Sequence, residues 1–245
     1  MRIAVVTDIH GNRHALFAVL ADLRRVGADQ VVFGGDAALF GSRPRECWER
    51  VLDLGWRLVQ GNTDRYIATL GPGLAAVGKP ARRPTDFRAT NVAWAAERLG
   101  PALVREMGAM PRQASIPSPA GTLLVVHGSP GDDETGWSRD DDEQTVAKVI
   151  GPTEATAVVS GHTHTAMIRH AGDVLAVNCG AVGRSHDGQP GLATYAVLDD
   201  SGGRWSAELR RVDYDHQGAY AEVQALGVPL SEDFANTLLT GVAPA

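Results

Sequence analysis

The sequence predicts an α/β protein in which two sheets pack together and helices lie outside them. Its first third alternates short apolar strands with amphipathic helices, and strands dominate after residue 112. No internal repeat or Pro/Ser-rich linker divides the chain, so its 245 residues are read as a single domain, 1–245, large enough to bury a substantial core.

Residues 2–7 form an apolar run with β-branched members, a strand, and Leu16, Val19, Leu20 and Leu23 then follow helical spacing. A second strand at Val31, Val32 and Phe33 ends in Gly34-Gly35-Asp36. A helix over 44–54 and a third strand near Trp56–Val59 complete a β-loop-α rhythm. That rhythm implies parallel strands with functional loops at their C-terminal ends. Residues 71–84, with Lys79, Arg82 and Arg83, read as a surface loop that can steer a phosphate or simply be solvated; a helix follows through Phe87, Val92, Trp94 and Leu99. Strands are expected at 121–126, 156–159, 165–170, 173–177, 192–198 and 204–212, and helices at 216–226 and 231–239.

The composition is that of a globular enzyme, 44% hydrophobic and 21% charged, with no apolar run long enough to span a bilayer. The chain enters its first strand at once, without the apolar stretch and cleavage site of a secretory signal, so a cytoplasmic location is expected. Cys47 and Cys179 fall in no C-x-x-C pattern and read as small buried side chains. A formal net charge of −6 argues against stable nucleic-acid binding, which needs a basic surface. Nothing in the sequence sets an oligomeric state.

Five polar clusters carry the chemistry. Four directly follow predicted strands: Asp8-x-His10, Gly35-Asp36, Gly61-Asn62-Thr63-Asp64 and His127-Gly128. The fifth, His162-Thr163-His164, lies in a turn between two strands. Residues two apart on an extended chain point to the same side, so Asp8 with His10, and His162 with His164, can each grip one ion. Carboxylate, amide oxygen and imidazole together suit transition metals, Mn, Fe, Zn, Co or Ni, better than Mg or Ca. Seven ligands are too many for one tetrahedral ion and too few for two saturated ones, which suits a two-metal site with open positions. Two carboxylates and one bridging hydroxide against two divalent ions leave about one positive charge to attract a phosphate.

In order and flanking sequence these blocks resemble the calcineurin-like metallophosphoesterase superfamily, over most of the chain. Val177-Asn178-Cys179-Gly180-Ala181-Val182-Gly183 is similar to a turn of its small bacterial and archaeal phosphodiesterase-like members. The resemblance implies a four-layer α/β/β/α sandwich and two divalent ions, manganese first. Asp36 would bridge them, with Asp8, His10 and His164 on one ion and Asn62, His127 and His162 on the other. It implies catalytic roles for Asp36, Asn62 and His127, and in-line attack on a small phosphate-ester or nucleotide substrate by a hydroxide bridging the ions.

The family places a proton-donating His where this chain has Thr63, and a hydroxyl cannot act as an acid near neutral pH. Phosphodiesters and activated esters are therefore expected ahead of alkyl monoesters. Dinucleoside polyphosphate hydrolysis, protein phosphatase activity and a non-catalytic metal-binding scaffold are the alternatives. Asn12 reads as the cap of the first helix, and Asn12 and Thr63 are the substrate-side candidates. His14 is expected on an exposed helical turn and His186 in a solvated loop. Residues 131–143 read as a lid or a charged surface loop, their closeness to His127 favouring the lid.

Overall fold

The computed structural model describes residues 1–77 and 87–244. The first sheet is built around β1 (Arg2–Val6), which pairs in parallel with β2 (Gln30–Phe33); β2 in turn pairs in parallel with the two-residue β3 (Arg57–Leu58). On its other side β1 runs antiparallel to β9 (Leu192–Asp199), which forms a hairpin with β10 (Ser206–Asp213). The second sheet has the order β4 (Gln113–Ile116), β5 (Leu123–Val126), β6 (Ala157–Ser160), β8 (Val174–Asn178), β7 (Met167–Ala171). It has a parallel centre and antiparallel edges.

The side-chain alternation of β1 shows how the layers stack. Ile3 and Val5 point between the sheets, where they meet Leu123, Val125, Val159 and Val177. Ala4 and Val6 point the other way, into a core shared with α1 (Arg13–Val26), α2 (Pro44–Asp53) and α4 (Phe87–Gly108) through Leu16, Val19, Trp48 and Leu99. The outer face of the second sheet, Leu124, Val126 and Val158, is covered by Val146 and Ile150 of α5 (Glu143–Ile150). The order of layers is helix, sheet, sheet, helix, as expected. α6 (His216–Ala225) and α7 (Glu232–Thr240) add a smaller apolar cluster. Among the described residues no helix is long and apolar enough to cross a membrane.

The expected loop over 71–84 is corrected in its first half. α3 runs Asn62–Val77, so residues 71–77 are helical, while Lys79, Arg82 and Arg83 lie outside the described residues. Gly71 serves packing rather than a turn, since a Cβ there would stand 2.7 Å from that of Ala96 on α4. α4 is itself kinked at Gly100 (φ 76°), with Pro101 starting its second half. Two elements were not anticipated. β4 is a short edge strand of mostly small and polar residues, and α5 begins where Asp142 caps the amide of Thr145 at 2.7 Å.

Candidate metal centre

The site forms where the two sheets present the ends of β1, β2, β5 and β6. Past β1 and β2 the pairing continues through amides of Asp8, His10 and Gly11 donating to carbonyls of Gly35, Asp36 and Ala37. The chain turns sharply while it does so. Of seven non-glycine residues at positive φ among the described residues, five are candidate ligands: Asp8 (56°), His10 (48°), Asp36 (64°), His162 (66°) and His164 (61°). Each left-handed residue costs on the order of 1 kcal/mol, and such strain persists where the surrounding structure dictates it. Glycines provide the clearance: a Cβ on Gly61 would fall 2.1 Å from Asp36 Oδ1, and one on Gly161 2.1 Å from Asp8 Oδ2.

Two buried groups of ligand atoms result. In the first, His164 Nε2 lies 3.1 Å from Asp8 Oδ1 and 3.1 Å from His10 Nε2, and His10 Nε2 is 3.7 Å from both Asp8 Oδ1 and Asp36 Oδ2. In the second, which also includes Asp8, His127 Nε2 lies 3.5 Å from Asp36 Oδ2; Asn62 Oδ1 approaches the same nitrogen at 3.1 Å. His162 stands beside these groups rather than within them. Its ring is 5.3 Å from that of His127, its amide donates to Asp8 Oδ2 at 3.1 Å, and its Nε2 lies 2.8 Å from the Glu134 carbonyl. A carbonyl only accepts, so Nε2 carries the proton and Nδ1 is the nitrogen left with a lone pair. His127 is also fixed by a carbonyl, but through the other nitrogen, Nδ1 donating to Gly34 O at 2.9 Å and Nε2 facing Asp36.

A family model for the calcineurin-like phosphoesterase superfamily domain matches residues 1–203. The chain belongs to that superfamily. An uncharacterized protein of Methanocaldococcus jannaschii is 25% identical to it over 239 residues, covering 90% of this chain and 91% of the relative. A crystal structure of a metallophosphoesterase from Sphaerobacter thermophilus shares 25% identity, with a TM-score of 0.76 over 99% of this chain and 100% of the other. A structure from Pyrococcus horikoshii OT3, titled as a hypothetical protein, superposes at 0.84 with 19% identity and 99% of each chain covered.

The superfamily uses divalent metal ions, and the donors of this phosphoesterase-superfamily chain fit them. Burial drives His10 down to about 3, so its ring is neutral and offers a lone pair. The buried Nδ1 atoms of His10 and His164 have no partner, so both rings make their side-chain hydrogen bonds through Nε2, where the two nitrogens meet. At most one proton fits between those nitrogens, whereas a cation satisfies both. Burial opposes the charges of Asp8 and Asp36, but neighbouring histidines outweigh it, His164 for Asp8 and His127 for Asp36, and hold both carboxyls below their usual range. His127 is desolvated too, yet Asp36 raises it to about 10. The carboxylates thus demand a positive partner, a demand that a divalent cation meets for both at once.

Several supporting residues escaped the sequence reading. Asp64 closes the Gly61-Asn62-Thr63-Asp64 motif without being a candidate ligand. Its buried carboxylate accepts the amides of Asp36 (2.7 Å), Ala37 (3.0 Å) and Gly61 (3.0 Å), tying two ligand turns together. Burial and the Asp36 charge raise its pKa to about 7. Asn178 donates to Gly161 O at 2.7 Å and Trp137 O at 2.9 Å, bracing the His162–His164 turn. Asn12 caps α1 as expected, accepting from the Ala15 amide at 3.1 Å and donating to Gly183 O at 3.0 Å.

Three expectations change. His186 is not in a solvated loop: its amide donates to His164 O at 3.0 Å, its ring lies 4.7 Å from that of His164, and burial lowers its pKa to about 3. His14 is on the first turn of α1 but half-buried, facing Asp215 and Glu222 at 3.9 and 3.8 Å, and joins neither ligand group. Residues 131–143 form the charged surface loop rather than a free lid, with most of them exposed. Trp137 is fully buried, Asp133 and Glu134 are ion-paired to Arg65 at 2.7 Å, and Glu134 leans on Asn62, so the stretch forms a pinned wall.

Proposed function

We propose that this chain hydrolyses phosphate esters at a two-cation centre, phosphodiesters ahead of alkyl monoesters. The reading rests above all on the convergence of Asp8, His10 and His164, and of Asp36, His127 and Asn62, about a shared point beside Asp36. Asp8, His10 and His164 would hold one ion, Asn62, His127 and His162 the other, and Asp36 both. Manganese is our first assignment for this mixed nitrogen and oxygen set, ahead of Fe, Ni, Co or Zn. When bound, the ions supply positive charge for the phosphoryl oxygens and a lowered pKa for the attacking water.

The chain's own residues do the positioning. The Thr63 amide donates to Asp36 Oδ1 at 3.0 Å while Asp64 grips the Asp36 amide, so the shared carboxylate is held from two sides. The Gly34 and Glu134 carbonyls fix the rings of His127 and His162. Thr63 carries the specificity. Its hydroxyl is buried and has no hydrogen-bond partner, and it cannot protonate an alkoxide leaving group near neutral pH. Esters whose leaving group needs no proton are therefore the better substrates.

The test is to strip the protein of metal and assay bis-p-nitrophenyl phosphate, p-nitrophenyl phosphate and the alkyl monoester glycerol phosphate after adding Mn, Fe, Ni, Co, Zn or Mg singly. Metal-dependent hydrolysis, strongest with manganese and favouring the nitrophenyl diester over the alkyl monoester, is the expected result. Absence of turnover with every metal would overturn the reading.

A further inference from the structure

Arg184 is a half-buried cation beside the centre that the roles above do not use. Its Nε is buried without an acceptor, and among the described residues no carboxylate pairs with it. Asp233 acts on it only through space. Other arginines of the fold are neutralised at close range: Arg13 and Arg43 on Glu222, Arg65 on Asp133, Arg139 on Asp187, Arg210 on Asp22. A half-buried guanidinium with no carboxylate in contact keeps its N–H donors for an anion that docks on it.

Its placement is not accidental. The segment carrying it is fastened to both ligand pairs, the Gly183 amide donating to Asp8 O at 2.8 Å and the His186 amide to His164 O at 3.0 Å. Its guanidinium lies 4.8 Å from the centroid of Phe40, and the same ring lies 5.2 Å from that of His10. Phe40 is held at φ 80°, a strained conformation for a bulky side chain and one of only two such residues among the described ones that are not candidate ligands. Strain that is not spent on ligating an ion holds this ring against both the guanidinium and a ligand.

We propose that Arg184 binds a second, non-reacting phosphoryl group of the substrate, so that the site prefers molecules with two neighbouring phosphates, such as nucleoside polyphosphates, over those with one. The guanidinium touches neither Asp8 nor Asp36 and reaches the centre through Phe40, which sets it back from the phosphorus under attack. Its planar fork matches phosphate oxygens. This inference rests on the phosphoester reading of the centre.

Titration calorimetry with ADP and AMP on the manganese-loaded protein tests it, because the two differ only in one phosphate. Wild type should bind ADP about tenfold tighter than AMP or better. Arg184→Gln should weaken ADP by about tenfold and leave AMP within about twofold, and Arg184→Lys should recover part of the loss. Both variants should melt no lower than wild type by more than the loss of the Phe40 contact allows, since among the described residues the side chain has no ion-pair partner. Equal weakening of ADP and AMP, or no weakening of either, overturns the proposal. An Arg184-dependent preference for ADP in a chain that hydrolyses no ester would support the subsite while overturning the catalytic reading.

Discussion

Thr63 stands where the resemblance to the superfamily leads one to expect a histidine, and its surroundings make the difference testable. The amide of Thr63 is committed to Asp36, but its hydroxyl is buried and uncommitted. Replacing it with an imidazole adds a proton donor without disturbing the backbone bond. Thr63→His should therefore raise kcat/KM for phosphomonoesters relative to diesters by about tenfold or more; an unchanged ratio would remove Thr63 from the explanation of specificity. The ligand candidates were legible because each cluster pairs a metal-binding residue type with a turn at a strand end. Asp64 and His186 were less so, because their roles depend on distant segments: Asp64 reaches 28 residues back to the Asp36 amide, and His186 packs on His164. Arg184 follows a recognisable turn, but nothing in its neighbours says that no carboxylate among the described residues pairs with it.

The segments around the centre divide into those whose pattern announces them and those defined by what they touch. β1, β2 and α1 repeat their apolar residues at the right period; the structure places β1 and β2 within a residue of expectation, and α1 contains all four residues that announced it. Residues 71–77 misled because glycine marks both turns and close helix contacts, and only the partner, Ala96, tells the two apart. The wall over 131–143 is the exposed acidic surface its composition suggests, and its hidden feature is the anchor, Trp137 in the outer core. Trp137→Ala should cost about 3–5 kcal/mol in denaturant unfolding. It should also lower activity more than an exposed substitution does, since Trp137 O accepts from Thr163 and Asn178; unchanged stability would show that the wall is not anchored there. α6 is tied to α1 and to the loop before α2 through Glu222, which meets Arg13 and Arg43 at 2.7 Å and Ser42 at 2.7 Å. Burial opposes its charge, but Arg43 and Ser42 prevail and hold the carboxyl below its usual value. A depressed folded pKa contributes stability that is present above the ordinary glutamate value of about 4.3 and is lost as pH falls through the folded value. Glu222→Gln should flatten that part of the acid limb of the melting curve; an identical limb would show that the tether is not titrating.

The architecture exists to bring five remote strand-end segments to one place, and the strain at Asp8, His10, Asp36, His162 and His164 lies where the sheets converge. Burying Asp8 and Asp36 so close together makes sense if strong positive charge resides between them. Proton and cation then compete for the same lone pairs, so metal affinity should fall as the pocket is acidified. The direct measurement is the number of manganese ions bound per chain at equilibrium, by dialysis and elemental analysis of wild type and Asp36→Asn. Two ions per wild-type chain, and no more than one in a variant that remains folded, are predicted. A wild-type chain that binds none, or an Asp36→Asn chain that keeps both with unchanged affinity, would contradict a centre built on one shared carboxylate.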